Sequence, residues 1–152
     1  MIIGIDPGAT GAIALLDGEQ ALRVDDLPTT TTGRSRSVCG ALLADLVRDY
    51  MDQAGNRPTA VLERVAARPG QGVSSMFAFG RSYGVVEGVV GALGLPLRRV
   101  TPQQWKRDAR LIGKPKDAAR SLAVELFPEI AHRLTRVKDS GRADALLIAY
   151  FG

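Results

Sequence analysis

The run Met1-Ile2-Ile3-Gly4-Ile5 carries no polar side chain and ends at Asp6, where Pro7-Gly8 breaks it. A strand that is apolar on both faces needs a layer of structure above and below its sheet, which removes open one-faced sheets from consideration. Gly11 to Leu16 resumes as a second strand, Asp17-Gly18 is a hairpin turn, and Ala21 to Leu27 completes an antiparallel meander. Thr59-Ala60-Val61-Leu62-Glu63 repeats the opening design, an apolar strand finishing in an acid. Three antiparallel strands, a helix and a further strand predict an α/β sheet with helices on its faces.

A third acid lies on a helix. In Ala143-Asp144-Ala-Leu-Leu-Ile-Ala149, Asp144 takes the first position of an i, i+3, i+4, i+7 stripe whose other members are Leu147, Ile148 and Phe151. A carboxylate aimed inward is costly unless cations or several donors compensate it, which indicates a metal or catalytic role. The plainer reading is an acid favouring the positive end of its helix. Asp6, Glu63 and Asp144 at element ends can converge, and carboxylate oxygens are the hard ligands that Mg²⁺ prefers. Two such ions about 3.5–4 Å apart would activate water and stabilise the leaving oxygen of a phosphodiester. The single Cys39 and single His132 exclude a Cys/His zinc cluster; they read as a reduced thiol and a surface imidazole.

Composition fits a nucleic-acid enzyme of one domain spanning 1–152. The chain has 152 residues, 20 basic against 16 acidic side chains and 45% hydrophobic content, with a pI near 9.6. That excess of base favours polyanions. The N-terminus lacks a signal-peptide pattern and no stretch is long and apolar enough for a bilayer, so a cytoplasmic protein without a membrane partner is expected.

Pro28 to Arg36 is polar and without periodicity and reads as an exposed loop, in which Arg34 and Arg36 could touch a phosphate backbone. Leu43, Leu46, Val47 and Tyr50 form a helical stripe ending before Gly55 to Pro58. Ser74 to Leu93 has helical length and carries Gly80, Gly84, Gly88 and Gly91 on one side. Each interior glycine costs roughly 1 kcal/mol against alanine, so a close approach is expected there, first of all to the sheet and otherwise to a second copy or to DNA. Thr101-Pro102-Gln103-Gln104 has the form of a capping box with proline at the first helical position. Trp105 is expected as a packing anchor, with Gln104, Lys106 and Arg107 toward phosphates. Lys114 and Lys116 precede another amphipathic helix, as contacts or as a solvated basic turn.

These residues carry a resemblance. Ile-Gly-Ile-Asp-Pro-Gly with Thr10-Gly11, the strand-end Glu63 and the terminal Ala-Asp-Ala-Leu-Leu-Ile-Ala resemble the RuvC-type Holliday junction resolvases nearly end to end. Pro69-Gly-Gln-Gly-Val-Ser-Ser-Met-Phe77, Phe79-Gly80-Arg81 and Thr101-Pro-Gln-Gln-Trp-Lys106 are more similar to the phage-encoded and chloroplast-type branch than to the cellular bacterial one. The resemblance implies an RNase H-like fold with a central mixed five-stranded sheet flanked by helices. It also implies a homodimer and symmetrical nicking of four-way DNA junctions, with two Mg²⁺ ions per site, Mn²⁺ as a substitute and no small-molecule cofactor. A bacterial or phage-infected cell is the expected setting.

Asp6, Glu63 and Asp144 match three of that family's four catalytic, metal-holding acids. Gly141 and Ser140 stand where relatives carry the fourth, and Asp139 is the expected substitute. Five residues turn an ideal helix by about 140°, so Asp139 joins the cluster only from the loop or cap before the helix; otherwise it is a capping aspartate. The DNA-binding set expected is Gln71, Ser74, Phe77, Arg81, Gln104, Lys106, Arg107, Lys114 and Lys116, with Gln71 to Phe77 probing the junction centre. The rival readings are a catalytically silent branched-DNA-binding protein and a nuclease acting on other branched DNA or on RNA. A third, the phosphate loop of actin-like ATPases, needs two lobes where this chain has the length of about one domain.

Overall fold

The structure, a computed structural model, describes residues 1–152 apart from 9, 33, 34, 65, 67–69 and 71. The apolar opening forms β1 (Ile2–Ile5), followed by β2 (Ala12–Asp17) and β3 (Gln20–Asp26) of the meander. A hairpin of β4 (Thr29–Thr32) and β5 (Ser35–Val38) leads into α1 (Gly40–Ala54) and β6 (Thr59–Glu63). Next come α2 (Val73–Ala92), β7 (Leu97–Val100), α3 (Pro102–Asp108) and α4 (Ala118–Leu126). Two 3₁₀ turns, Pro128–Arg133 and Val137–Asp139, precede α5 (Ser140–Phe151).

Five strands make one mixed sheet in the order β3-β2-β1-β6-β7, with β4 and β5 paired separately. Strand β1 runs parallel to β6 and antiparallel to β2. Strand alternation then divides the core into two layers. Ile3, Ile5, Ile13, Leu15, Ala60 and Leu62 face one layer with residues of α1 and α2, whereas Ala12, Ala14, Leu16 and Val61 face the other with residues of α3, α4 and α5. Where α5 lies on this face, Gly4, Ala12 and Ala14 keep the strands small. A methyl group at Gly4 would overlap the Ala145 carbonyl and sit 2.5 Å from the Ala149 nitrogen, so this glycine sets how deeply the Asp144 helix seats.

The edge strand β3 is partly covered by side chains. Glu129 accepts from the Ala21 amide at 2.7 Å, and Arg133 donates to the Val24 carbonyl at 3.0 Å. Two of the backbone groups that would template edge-to-edge pairing are thereby satisfied.

Two expectations are corrected here. Pro28 to Arg36 is a β-hairpin where a loop was expected, because the threonine run is β-branched and pairs Thr29 with Val38 and Thr31 with Arg36. The glycines of α2 do not pack on the sheet: a methyl group added at Gly80, Gly84, Gly88 or Gly91 would meet nothing within 4 Å. The helix instead presents Ser82, Val86 and Val90 inward and leaves its glycine side open. No helix among the described residues is long and apolar enough to cross a membrane.

Candidate active site

Parallel pairing sets the site. Because Ile5 lies opposite Leu62, the next residues, Asp6 and Glu63, leave the C-terminal ends of adjacent parallel strands side by side. Ile5 and Leu62 both face the α1–α2 layer, so alternation directs the two acids to the opposite face, where α5 lies. One residue before the Ala145 that seats on Gly4, α5 supplies Asp144 to that face. The C-terminal edge of a sheet is where open α/β folds place their ligands.

The local backbone is shaped around Asp6. Its amide donates to the Ala12 carbonyl at 3.0 Å, and its Oδ1 accepts from the Gly8 amide at 3.2 Å. At Gly141, α5 comes close to this loop: a methyl group there would clash with the Thr10 carbonyl and lie 3.4 Å from Asp6 Oδ2. A side chain at position 141 has no room here. Glu63 Oε1 accepts from the buried Trp105 indole Nε1 at 2.8 Å, and Lys106 Nζ stands 5.0 Å from the centre of the Trp105 ring.

Charge in this nest is under-compensated. Burial pushes the Asp6 carboxyl up to about 7, and the charges of Glu63 and Asp144 push the same way, against the Gly8 amide and Lys106. Asp144 rises to about 6, again through burial, with Lys106 opposing and Glu63 adding. Three carboxylates facing one lysine favour a divalent cation, which would restore the ionised forms of Asp6 and Asp144. As they stand they do not close around one point, and no trio of His, Cys, Asp or Glu does so among the described residues. The donor set fits a hard, oxygen-seeking cation that retains several waters, and Asp6, Glu63 and Asp144 are the residues that would hold it.

Asp139 is placed elsewhere. It forms the end of the 3₁₀ turn before α5, and its carboxylate is taken by Arg136, through the backbone amide at 2.8 Å and through Nη2 at 2.7 Å. Arg142 approaches to 3.8 Å. The Arg136 guanidinium holds the Asp139 carboxyl below its ordinary range. The expected fourth acid is thus committed to an i, i+3 ion pair and a capping box, while the charges acting most strongly on Asp6 are Glu63, Asp144 and Lys106.

The expected DNA-binding residues divide into groups. Ser74, Phe77 and Arg81 lie on the first half of α2, with Phe77 74% exposed and Arg81 donating to Ser37 Oγ on β5 at 2.8 Å. Phe79, on the same stretch, would lie 3.9 Å from a methyl group at Gly8, so this half-helix borders the Asp6 loop. Gln104 and Arg107 are exposed on α3, where Thr101 caps the Gln104 amide at 3.2 Å. Lys114 and Lys116 are exposed between α3 and α4. Lys106 belongs with the carboxylates. Gln71 and Arg34 lie outside the described residues. His132 is exposed and Cys39 is a free thiol at the start of α1, both apart from the site. The Trp105 bond to Glu63 could not be read from the sequence, because it joins residues 42 apart.

The architecture is an RNase H-like fold, and solved structures carry the likeness. T. thermophilus RuvC in complex with Holliday junction substrate superposes with a TM-score of 0.67 at 16% identity, covering 99% of this chain and 90% of that one. The Thermus thermophilus RuvC structure gives 0.63 at 17% identity, over 99% and 91%. In sequence, the chain is 39% identical over 82 residues to the chloroplastic Holliday junction resolvase MOC1 of Chlamydomonas reinhardtii. That match spans 53% of this chain and 9% of the relative's length. No protein-family model matches.

Proposed function

We propose that this protein is a structure-selective DNA endonuclease that resolves four-way junctions by paired, symmetrical, metal-dependent nicking. The observation that carries this reading is the placement of Asp6, Glu63 and Asp144 at one end of the sheet, where burial and like charge push the Asp6 and Asp144 carboxyls up. The likeness to a named resolvase over about half the chain supports the choice of substrate.

In this reading Asp6, Glu63 and Asp144 hold one or two Mg²⁺ or Mn²⁺ ions. Bound there, the metal would supply Lewis acidity and a water ionised near neutral pH. The Gly8 amide fixes the Asp6 carboxylate, and the Trp105 indole fixes that of Glu63. Lys106 partly neutralises Asp6 and Asp144 and offers a cation to an approaching phosphate. Ser74, Phe77, Arg81, Gln104, Arg107, Lys114 and Lys116, with Gln71, form the surface against which the junction arms would lie. A twofold dimer suits a substrate of approximate twofold symmetry, and the open glycine side of α2 is the surface we assign to it. The place of action follows the DNA: a bacterial or phage-infected cytoplasm, or an organelle such as the one in the relative's name.

The test is cleavage of a labelled synthetic four-way junction beside matched duplex, with Mg²⁺ or with chelator. Paired nicks at symmetric positions, dependent on metal and lost in Asp6→Asn, are expected. Equal cutting of duplex and junction would replace this reading with a general nuclease. One observation favours a second reading, a branched-DNA-binding protein without cleavage: Asp139, the acid expected as the fourth ligand, is bound to Arg136. Tight junction binding with no cutting under any divalent metal would select it.

A further inference from the structure

A basic cleft adjoins the carboxylates on the side away from Glu63. Strand order places β3 and β6 on opposite sides of β1, and Ala12 pairs with Asp26, so β3 ends at the same edge of the sheet as Asp6. Here the β4–β5 hairpin brings Arg36 and the 3₁₀ turn brings Arg136 and Lys138 around a cleft of about 200 Å³, floored by the Thr10–Gly11 turn. The same turn touches Gly141, which in turn stands against Asp6 Oδ2. Cleft and carboxylates therefore share a wall.

The two acids in the cleft do not cancel its cations. Asp26 is held by both ends of the Arg142 guanidinium, at 2.7 and 2.8 Å, and Asp139 by Arg136. Both carboxyls lie below their ordinary range for that reason. Arg36 is oriented by a 2.7 Å bond from Nε to Thr29 Oγ1, which leaves its terminal nitrogens for another partner. Among the described residues, no carboxylate pairs with Arg36 or Lys138.

We propose that this cleft binds a backbone phosphate of the nucleic-acid strand that crosses Asp6, with Arg36 and Lys138 as the contacts and Arg136 as a wall fixed by Asp139. The inference rests on the nucleic-acid reading above and adds a particular strand path, from the carboxylates over the Thr10–Gly11 turn to the hairpin. A polyanion suits the site because two exposed cations hold a lone phosphate weakly in water, whereas a strand already seated at Asp6 presents its next phosphates at high local concentration. The hairpin then has a purpose that its small contribution to the core does not supply.

The experiment measures junction binding by fluorescence anisotropy across a chloride series in the non-cleaving Asp6→Asn protein, with Arg36→Ala, Lys138→Ala and the double variant added. Arg48→Ala, at an exposed pair with Asp45 on α1, is the control. Each single variant should lower the slope of log K against log salt by about 0.9, the double by about twice that, and Arg48→Ala not at all. Arg36→Lys, which keeps the charge, should restore most of the slope. Inorganic phosphate should displace the junction no better than chloride at equal ionic strength. Parent slopes in both alanine variants overturn the proposal. So does displacement by millimolar phosphate that the double variant abolishes while its slope stays at the parent value, which would assign the cleft to free phosphate. A parent that binds no junction at any salt overturns the functional reading together with this site; normal parent binding with unchanged variant slopes overturns this site alone.

Discussion

Two groups of acids stand at the same edge of the sheet and have opposite fates. Asp26 and Asp139 each receive a guanidinium, bidentate from Arg142 and from Arg136 respectively, and are held ionised below their ordinary range. Asp6 and Asp144 are buried beside the charge of Glu63 with one lysine opposing, and their carboxyls rise to about 7 and about 6. The difference teaches which acids hold the fold together and which wait for a ligand. A compensated carboxylate is a strut; an uncompensated one costs stability and is kept for chemistry.

The largest effect that can break this comparison is on catalysis. Asp6→Asn and Asp144→Asn should each lower junction cleavage by about 10³-fold or more, since each removes a metal-holding oxygen worth several kcal/mol in the transition state. Junction affinity should remain near wild type in gel-shift assays. Wild-type cutting by either variant would move the chemistry elsewhere. Next is the support of Glu63. Trp105→Phe keeps an aromatic in the core but removes the indole donor, and should weaken divalent-metal affinity by about 10–100-fold. Unchanged affinity in a titration would reduce Trp105 to packing.

The compensated group should respond in stability instead. Asp139→Ala removes a cap and an ion pair, and should cost about 1–3 kcal/mol in denaturant unfolding, with Asp6-dependent metal binding retained. The smallest effect is the pH dependence of the metal-free protein. A carboxyl raised to about 7 from an unfolded value of 3.8 makes the folded state bind more protons between those values. Stability should therefore fall as pH rises from about 4 to about 7 and level off above. Between pH 5 and 8 this should lower Tm by about 5 °C, and Asp6→Asn should flatten the profile. Asp26 and Asp139 act in the opposite direction and only at lower pH, where their lowered carboxyls titrate. A slope unchanged by Asp6→Asn would show that Asp6 is not the frustrated group.

The sequence was most legible where one local rule decided the outcome. Asp6 and Glu63 could be placed because each ends an apolar strand, and Asp144 because it interrupts an apolar stripe. Thr101 could be read as a cap because the first turn of α3 follows in the expected order. Misreadings fell where a rule had two physical outcomes. Thr29 to Thr32 looked polar, yet β-branching and pairing with β5 make it a strand. The glycines of α2 share one side, but periodicity gives only the side and not what it meets. Lys106 was expected at a phosphate backbone; its position beside the acids was not legible, because it depends on Trp105 anchoring α3 against Glu63. Asp139 carried a visible signal that was passed over: Arg136 three residues earlier is positioned for an i, i+3 pair.

The most direct test is Mn²⁺ binding, followed by calorimetry and by the loss of free-ion resonance, in wild type, Asp6→Asn and Asp139→Ala. The account predicts binding in wild type, its loss in Asp6→Asn and its retention in Asp139→Ala. Binding that survives Asp6→Asn and vanishes in Asp139→Ala would contradict it, making the acid paired with Arg136 the ligand and the trio at the strand ends the bystander.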